Sequence, residues 1–573
     1  MLSKNKPATR TIIIAILFFL TLFIWTIWQF HFNYMISMYD SFFHAERIYE
    51  IRLAFQQHTL PSWVNFNSFF NTGQAINGMY PDFTLWPFVF ITNFLTPIHQ
   101  IIAIRSLIAG LTFIVTFLSL NKRFDSTNAI LAATIFTLSG SALKDLINEM
   151  QTGSAIVMIF AFPIFFTIKE AIESDKIDLN SIIKTALLMT IVINSHLLSA
   201  VTIAIITGIF LVIESIIKRS FIPWINLIAA AILTVVLCLP IMYRLLKISK
   251  TGLLSPFGQG KVNTLSIWTF LRFSAWNGKS NMSLAALILI VVTLIGIKRD
   301  KLRQLLPWLL VELFLLILST NLAPWGLLQH LPILNNFQDA SWRFAPFLGI
   351  APLVLILINF DQKKTRLIFL IMTIISYVMA VRTAYVQQYD HTQNLEVLNQ
   401  ASTQKVNVNS AVKLTSTGIT SDLLVRTLIP DYAPKSTPLE KGSNGLNMDP
   451  QIVYLLSNHI GQTKQRDIPL QHQSSINGIV LTAKDVDKGD ITLPVYGYNT
   501  LSYRVTLNNQ PAKWHIGPTG FITVNSSKKL STAHYGITQI QPRYYSSLIW
   551  MMFVLYVALV AVILTPKVKH LIF

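Results

Sequence analysis

The chain is poor in charge. Only 12% of its 573 residues are Asp, Glu, Lys or Arg, about half the roughly 25% of an ordinary soluble domain. That excludes a soluble globular protein of common composition. It holds one cysteine, Cys238, inside an apolar run, which excludes internal disulfides and cysteine-rich metal sites. There is no Walker A pattern, no HExxH, no GxSxG and no zinc spacing, so ATP-driven transport and hydrolase chemistry have no motif behind them. "FGQGK", Phe257 to Lys261, matches no phosphate loop well.

What is present is apolar. Hydrophobic residues make up 52% of the chain, and mean hydropathy is +0.52. Continuous runs of about 16–20 apolar residues recur, which is the signature of membrane helices. The runs do not alternate, so a β-barrel is not expected. Spans are expected at Thr11–Phe30, Ile101–Leu120, Thr127–Leu143, Gly153–Ile168, Ile182–Leu198, Ala200–Ile217, Ile222–Tyr243, Met282–Ile297, Leu305–Leu322, Phe344–Phe360, Leu367–Tyr385 and Ser547–Thr565. The first follows a basic tail (Lys4, Lys6, Arg10) and has no small-residue cleavage site after it, so it reads as a retained helix. Phe83–Leu95 is short and bracketed by Pro81, Pro87 and Pro97, which suits a helix lying at the interface.

The expected fold class is therefore an α-helical polytopic membrane protein with about twelve transmembrane helices and an extracytoplasmic β-rich domain. Residues 1–385 form the transmembrane domain, with a first outer loop at 31–100. Residues 386–546 form the outer insert, and 547–573 the final helix and tail. With the N-terminus inside, the loops "NKRFD", "KEAIESDKID", "KRS", "KRDKLRQ", "DQKKTR" and the tail "PKVKH" are cytoplasmic, and all but "KEAIESDKID" are basic, as the positive-inside rule asks. Topology thus accounts for the net charge of +19 without a nucleic-acid partner. The second half of the insert alternates in "DITLPVYGY", "LSYRVTLNN", "GFITVNSS" and "HYGITQIQP". These read as strands of a small antiparallel sandwich.

Chemistry is sought in the few charges. In "YDSFFHAERIYEIRLAF", Tyr39 to Phe55, the residues Asp40, His44 and Arg47 share one helical face where the first span ends. A carboxylate there can act as a general base on a hydroxyl or bind a divalent cation. Equally, Ser37 and Asp40 fit a capping box. Asp82 can cap the interfacial helix. In "KDLINEMQTG", Asp145 and Glu149 stand at i, i+4, where like charges repel unless a cation joins them. His196 lies at a helix end, as a ligand or as a hydrogen-bonded interfacial residue. Arg105, Arg244, Lys247, Lys250 and Arg343 are cations on the expected outer side. They can hold a lipid phosphate or snorkel to the headgroups. Glu312 lies mid-span, where an ionised group is costly; it must face the bundle interior, pair or stay protonated.

Several of these stretches look familiar together. "YDSFFHAERIYEI", "LPSWVNFNSFFNTGQAINGMYPDFTLWPF", "NNFQDASWRF" and "ITLPVYGYNTLSYRVTLNNQPAKW" resemble segments of the bacterial membrane family called YfhO-like or PTPS-related. The chain departs from that pattern at Asp339–Ala340–Ser341, between Gln338 and Trp342, where the family has a shorter, proline-containing stretch. That family is similar in architecture to GT-C glycosyltransferases. The resemblance implies transfer of a sugar from a polyprenyl-phosphate lipid to an envelope glycan, such as teichoic acid, on the outer face of a bacterial plasma membrane. It implies Asp40 as the catalytic residue. Arg105, Arg244, Lys247, Lys250 and Arg343 would receive the donor phosphate. His44, Arg47, Asp82, Asp145, Glu149, His196 and Gln338 would support the site. A divalent cation (Mg or Mn) would sit on Asp40, Asp145 and Glu149. The competing expectations are a lipid or polysaccharide transporter and a non-catalytic envelope assembly protein.

Overall fold

The computed structural model describes residues 9–565, except 39, 257–260, 277–281, 332, 391–411, 420–427, 444 and 446. "FGQGK" from 257 to 260, the basic tails at 1–8 and 566–573, and much of the first half of the insert lie outside the described residues.

Thr9–His31 is one unbroken helix, about 35 Å long at 1.5 Å per residue. Its Ile, Leu and Phe side chains are mostly exposed, as a helix facing hydrocarbon requires. One stripe packs inward: Phe18 stacks on Phe113 of the helix Pro97–Asn121 with ring centroids 4.0 Å apart. Among the described residues six helices are long and apolar enough to cross a membrane by length and composition, and nine if each of three bent pairs counts as one span.

The bent pairs are Ser126–Thr137 with Gly140–Asn148 (47°), Thr152–Ile159 with Ala161–Glu173 (55°), and Ile222–Leu237 with Leu239–Ser249 (69°). Pro163 and Pro240 stand just past the second and third breaks. Each lacks the N–H that would continue the ladder. At the first break Ser139 re-caps the chain, accepting from the Ala142 N–H at 3.4 Å. Three expected spans appear as shorter helices, Leu179–Ser195, Leu284–Ile295 and Leu302–Leu318. Every expected span thus has a helix or a bent pair at its place, but the helices give six to nine full-length spans rather than about twelve.

The C-terminal region is β-rich. Counting β1 (Tyr34–Ser37) and β2 (Val412–Thr415), the remaining strands are β3 (Ile460–Gln462), β4 (Asp467–Pro469), β5 (Gln471–Ser475), β6 (Gly478–Val486), β7 (Gly489–Tyr496), β8 (Ser502–Leu507), β9 (Gln510–Pro511), β10 (Trp514–Ile516), β11 (Phe521–Ser526) and β12 (Leu530–Ile540). They form two five-stranded antiparallel sheets, ordered β10-β11-β7-β3-β4 and β5-β6-β12-β8-β9. Alternation along β12 buries Ala533, Tyr535 and Ile537 and exposes His534 and Thr532, the pattern of a sheet with one face on a core. Strands cover each of the four stretches read as alternating in the sequence.

The sandwich and the first loop are not separate bodies. β1 pairs with β2 in the antiparallel register Tyr34↔Thr415 to Ser37↔Val412. Trp63, Val64, Phe66 and Phe70 share one core with Leu481, Leu493, Val495 and Tyr535 of the sandwich. Between them runs a tight turn in which Phe69, Phe70 and Asn71 all take left-handed φ values of 50°, 55° and 59°. Such a turn persists only when its surroundings over-determine it. Two carboxylates of the buried helix Ser41–Gln56 do this. Phe69 N–H donates to Glu46 Oε2 at 2.8 Å. Asn67 N–H, Asn67 Nδ2 and Ser68 Oγ donate to Glu50 at 3.1, 3.0 and 2.7 Å. Asn67 and Asn71 also donate to Ser475 O and Ser474 Oγ of β5, at 3.1 and 2.9 Å. The boundary expected at 386 therefore divides the chain in sequence but not in packing.

Candidate active site

Asp40 is half-buried and occupies the N-cap position of Ser41–Gln56, but its side chain caps no backbone N–H. The capping box is not formed; Ser37 Oγ and Ser41 Oγ bond each other at 2.6 Å instead. Asp40 Oδ2 accepts from Gln151 Nε2 at 3.0 Å, and the same amide nitrogen donates to Glu149 Oε2 at 3.1 Å. Gln151 therefore bridges two acids that stand far apart in sequence.

Glu149 Oε2 is also 3.1 Å from Lys144 Nζ, which lies 4.0 Å from Asp145 Oδ1. All three groups are buried. They sit together because Lys144–Asn148 is a single π-helical turn, which re-aims side chains at functional sites. The ammonium also lies 4.7 Å from the Trp342 ring centroid.

Arg343 faces the same cluster. Its Nε donates to Phe337 O at 3.0 Å and its Nη2 to Gln338 Oε1 at 2.9 Å. The stretch 338–341 explains how it is held. Asp339 N-caps the short helix Ala340–Phe344, accepting from Trp342 N–H at 3.2 Å and Ser341 Oγ at 2.6 Å. Gln338 at φ 61° turns the chain back over the arginine.

Tyr80, His44, Arg47 and His196 line the other side. Arg47 lies 4.0 Å from the Tyr80 ring centroid, donates to Pro81 O at 2.9 Å, and approaches His44 Nδ1 at 3.3 Å. The Tyr80 ring is 5.6 Å from His44 and 6.0 Å from His196. His196 Nδ1 is 2.7 Å from Ser199 Oγ and caps the helix Leu197–Lys218.

Burial raises the pKa of Asp40 above its ordinary value, while Lys144, Arg343 and the Gln151 bond pull it back down. Burial pushes Glu149 up to about 7, against Lys144 and aided by the two neighbouring acids. Burial and Arg47 hold His44 well below the usual histidine range, so its imidazole is neutral. The site contains one carboxyl raised to about 7 and a second, Asp40, raised above its ordinary value, beside fixed cations, an arrangement suited to proton abstraction and anion stabilisation.

Other expectations are corrected. Arg244 is not free for a phosphate: its Nη2 is 2.7 Å from Asp82 Oδ1 in an ion pair with both side chains buried. Asp82 does not cap the interfacial helix; its second oxygen accepts from Trp86 Nε1 at 3.0 Å, and the helix Trp86–Ile91 has Leu85 at its N-cap. Lys247 is half-buried and Lys250 exposed, and neither joins the cluster. Arg105 lies apart from it, beside Trp25. Among the described residues no group of three or more His, Cys, Asp or Glu is placed to hold a metal ion. Lys144 takes the position between Glu149 and Asp145 that a cation would need. Glu312 makes no interhelical bond: both its oxygens are buried without a partner among the described residues.

Lys144, Gln151 and Tyr80 were not singled out in the sequence. Lys144 and Gln151 flank the two acids in "KDLINEMQTG", and the need of that acid pair for a counter-charge was the signal for the lysine.

Comparison with known proteins gives a family. No curated protein matches the chain. The match to a family model covers just over half of it and includes Lys144, Asp145, Glu149, His196, Arg244 and Arg343, while Asp40 precedes it. The chain belongs to the membrane-protein family described as the 6-pyruvoyl-tetrahydropterin synthase related domain, whose model matches residues 85–389.

Proposed function

We propose that this protein is a GT-C-type glycosyltransferase with about twelve membrane crossings, acting on the outer face of a bacterial plasma membrane with both termini cytoplasmic. It moves a sugar from a polyprenyl-phosphate lipid to an envelope glycan such as teichoic acid. The observation that carries the reading is Asp40: a half-buried carboxylate that caps nothing and faces Lys144, Gln151 and Arg343.

In this reading the acceptor hydroxyl attacks the anomeric carbon. Asp40 takes its proton as the new C–O bond forms. The bond from that carbon to the phosphate oxygen breaks, and the lipid phosphate leaves with the electron pair. Arg343 and Lys144 stabilise the leaving charge in a site of low dielectric. Neutral His44 and His196 with Tyr80 line the sugar pocket. The sandwich, joined to the first loop through Asn67 and Asn71, guides the acceptor. The test restores a deletion strain with wild type or Asp40→Asn at matched expression and weighs wall-polymer substituents by mass spectrometry. The reading requires a sugar that wild type restores and Asp40→Asn does not.

A proton-coupled lipid or polysaccharide transporter is the second reading, favoured by Glu312 alone. A buried carboxyl with no partner inside a membrane helix is costly to keep without a role. Under that reading Glu312→Gln abolishes the phenotype while Asp40→Asn retains it. A non-catalytic assembly protein tolerates both.

A further inference from the structure

A groove of about 330 Å³ lies between the first helix, the helix Pro97–Asn121, the π-helical turn and the helix Gln362–Tyr385. Its walls include Leu22, Trp25, Leu146, Ile147, Ala380 and Tyr385. This is the low end of ligand-pocket volumes, roughly 300–1,000 Å³, and takes part of one hydrocarbon chain. The first helix and Gln362–Tyr385 are largely exposed apolar helices, so the groove faces the lipid side of the bundle.

One charged residue lines it. Arg105 is 3% exposed, and its guanidinium lies 5.2 Å from the Trp25 ring centroid. Among the described residues it has no ion-pair partner, and its Nε is buried without an acceptor. A second cavity of about 10 Å³ adjoins Arg105, close to the volume that holds one water-sized atom, about 10–15 Å³. Gln388 lines that cavity too, and its Nε2 is likewise buried without an acceptor. Two unsatisfied donors, one cationic, thus meet at a hole sized for one oxygen at the end of an apolar slot. Most buried donors in native proteins are paired, and a bound ion or ligand atom is one of the recognised reasons for an apparent exception. An anionic oxygen supplies both missing bonds, and a guanidinium suits a phosphate.

We propose that this groove is a binding site for an anionic phospholipid of the surrounding bilayer, with one chain in the slot and a phosphate oxygen on Arg105 and Gln388. The site is distinct from the Asp40 cluster but shares a wall with it. Leu146 and Ile147 face the groove, and Lys144 and Asp145 of the same turn meet Glu149 or each other. A bound lipid braces the turn that carries the cluster's lysine.

The test uses the full chain purified in detergent, with phosphatidylglycerol added. Native mass spectrometry reads retained lipid, and thermal unfolding reads stabilisation. Wild type is expected to retain one phosphatidylglycerol and to gain melting temperature. Arg105→Gln and Gln388→Leu are expected to weaken retention at least tenfold and to lose most of the gain, while Arg343→Gln keeps both. Leu146→Trp, which fills the slot and keeps the arginine, is expected to lose retention as well. The melting temperature without lipid shows that each variant is folded. Equal retention by Arg105→Gln and wild type overturns the proposal, as does equal loss in Arg343→Gln. Displacement by an equimolar polyprenyl phosphate or fatty acid also overturns it, because the groove then serves another lipid. None of these outcomes depends on glycosyl transfer.

Discussion

Two groups of buried charge sit close in the fold and are built on opposite plans. Around Asp82 the charge closes: one carboxylate meets one guanidinium at 2.7 Å and its second oxygen takes the Trp86 indole, with only Arg244 Nε left without an acceptor among the described residues. Phe83 covers the arginine, its ring centroid 5.0 Å away. Around Asp40 it does not close. Asp40, Asp145 and Glu149 share Lys144 and one Gln151 amide, with Arg343 nearby but held by Phe337 and Gln338. A balanced pair fixes geometry and leaves no net charge over. An unbalanced cluster holds Asp40 and Glu149 above their ordinary values, at a cost that function must justify.

Breaking the closed pair has the largest expected effect on stability. Arg244→Ala strands the Asp82 carboxylate, and losing one partner of a buried pair costs about 3–5 kcal/mol. Thermal unfolding in detergent checks it; a melting temperature equal to wild type would mean the pair is solvated. The Glu50 clamp comes next. Burial raises Glu50 to about 7 against the hydrogen bonds from Asn67, Ser68 and Phe66. Its folded-state value therefore exceeds its unfolded one. Its contribution to stability is full below about 4.5 and is lost as pH rises through about 7, at most about 3 kcal/mol. Glu50→Gln is expected to flatten the pH dependence of the melting temperature in that window, and an unchanged slope refutes the clamp's titration.

Smaller changes sharpen the contrast from the open side. Lys144→Met removes the cation that lowers both Asp40 and Glu149. The acid limb of any pH–activity profile should then move to higher pH, and a limb that stays in place excludes both acids as its source. Gln151→Leu deletes the bridge and leaves Asp40 Oδ2 without its donor while Glu149 keeps Lys144, with a cost of about 1–3 kcal/mol. Its melting temperature should fall less than that of Arg244→Ala; a larger fall would invert the comparison.

The sequence showed where charge was anomalous but not what met it. Asp40, Asp145, Glu149, His196 and Arg343 stand out because an apolar chain carries few such residues, and the structure brings them together. Arg244 stood out for the same reason and proved to be neutralised by Asp82, 162 positions away. Nothing local in sequence announces such a pairing. Lys247 and Lys250 follow Arg244 past the same break at Cys238 and Pro240, and remain outside the cluster. The apolar runs predicted where helices lie, because hydrophobicity alone sets that. Their effective lengths depend on breaks at Pro163 and Pro240, which are visible as prolines but not as angles. The alternation of β7, β8, β11 and β12 was legible for the same reason as the helices. The pairing of β1 with β2 across the whole helical region was not, since strand partners are chosen by the fold.

The most direct test of the account is the wall-polymer analysis of a deletion strain carrying wild type or Asp40→Asn. Positioned general bases contribute about 10²–10⁴-fold to rate, and Asn keeps the size and the acceptor for Gln151. The account predicts that wild type restores a sugar substituent and Asp40→Asn, equally expressed and equally stable, does not. Restoration by both would contradict it, and the open cluster would then be a structural one.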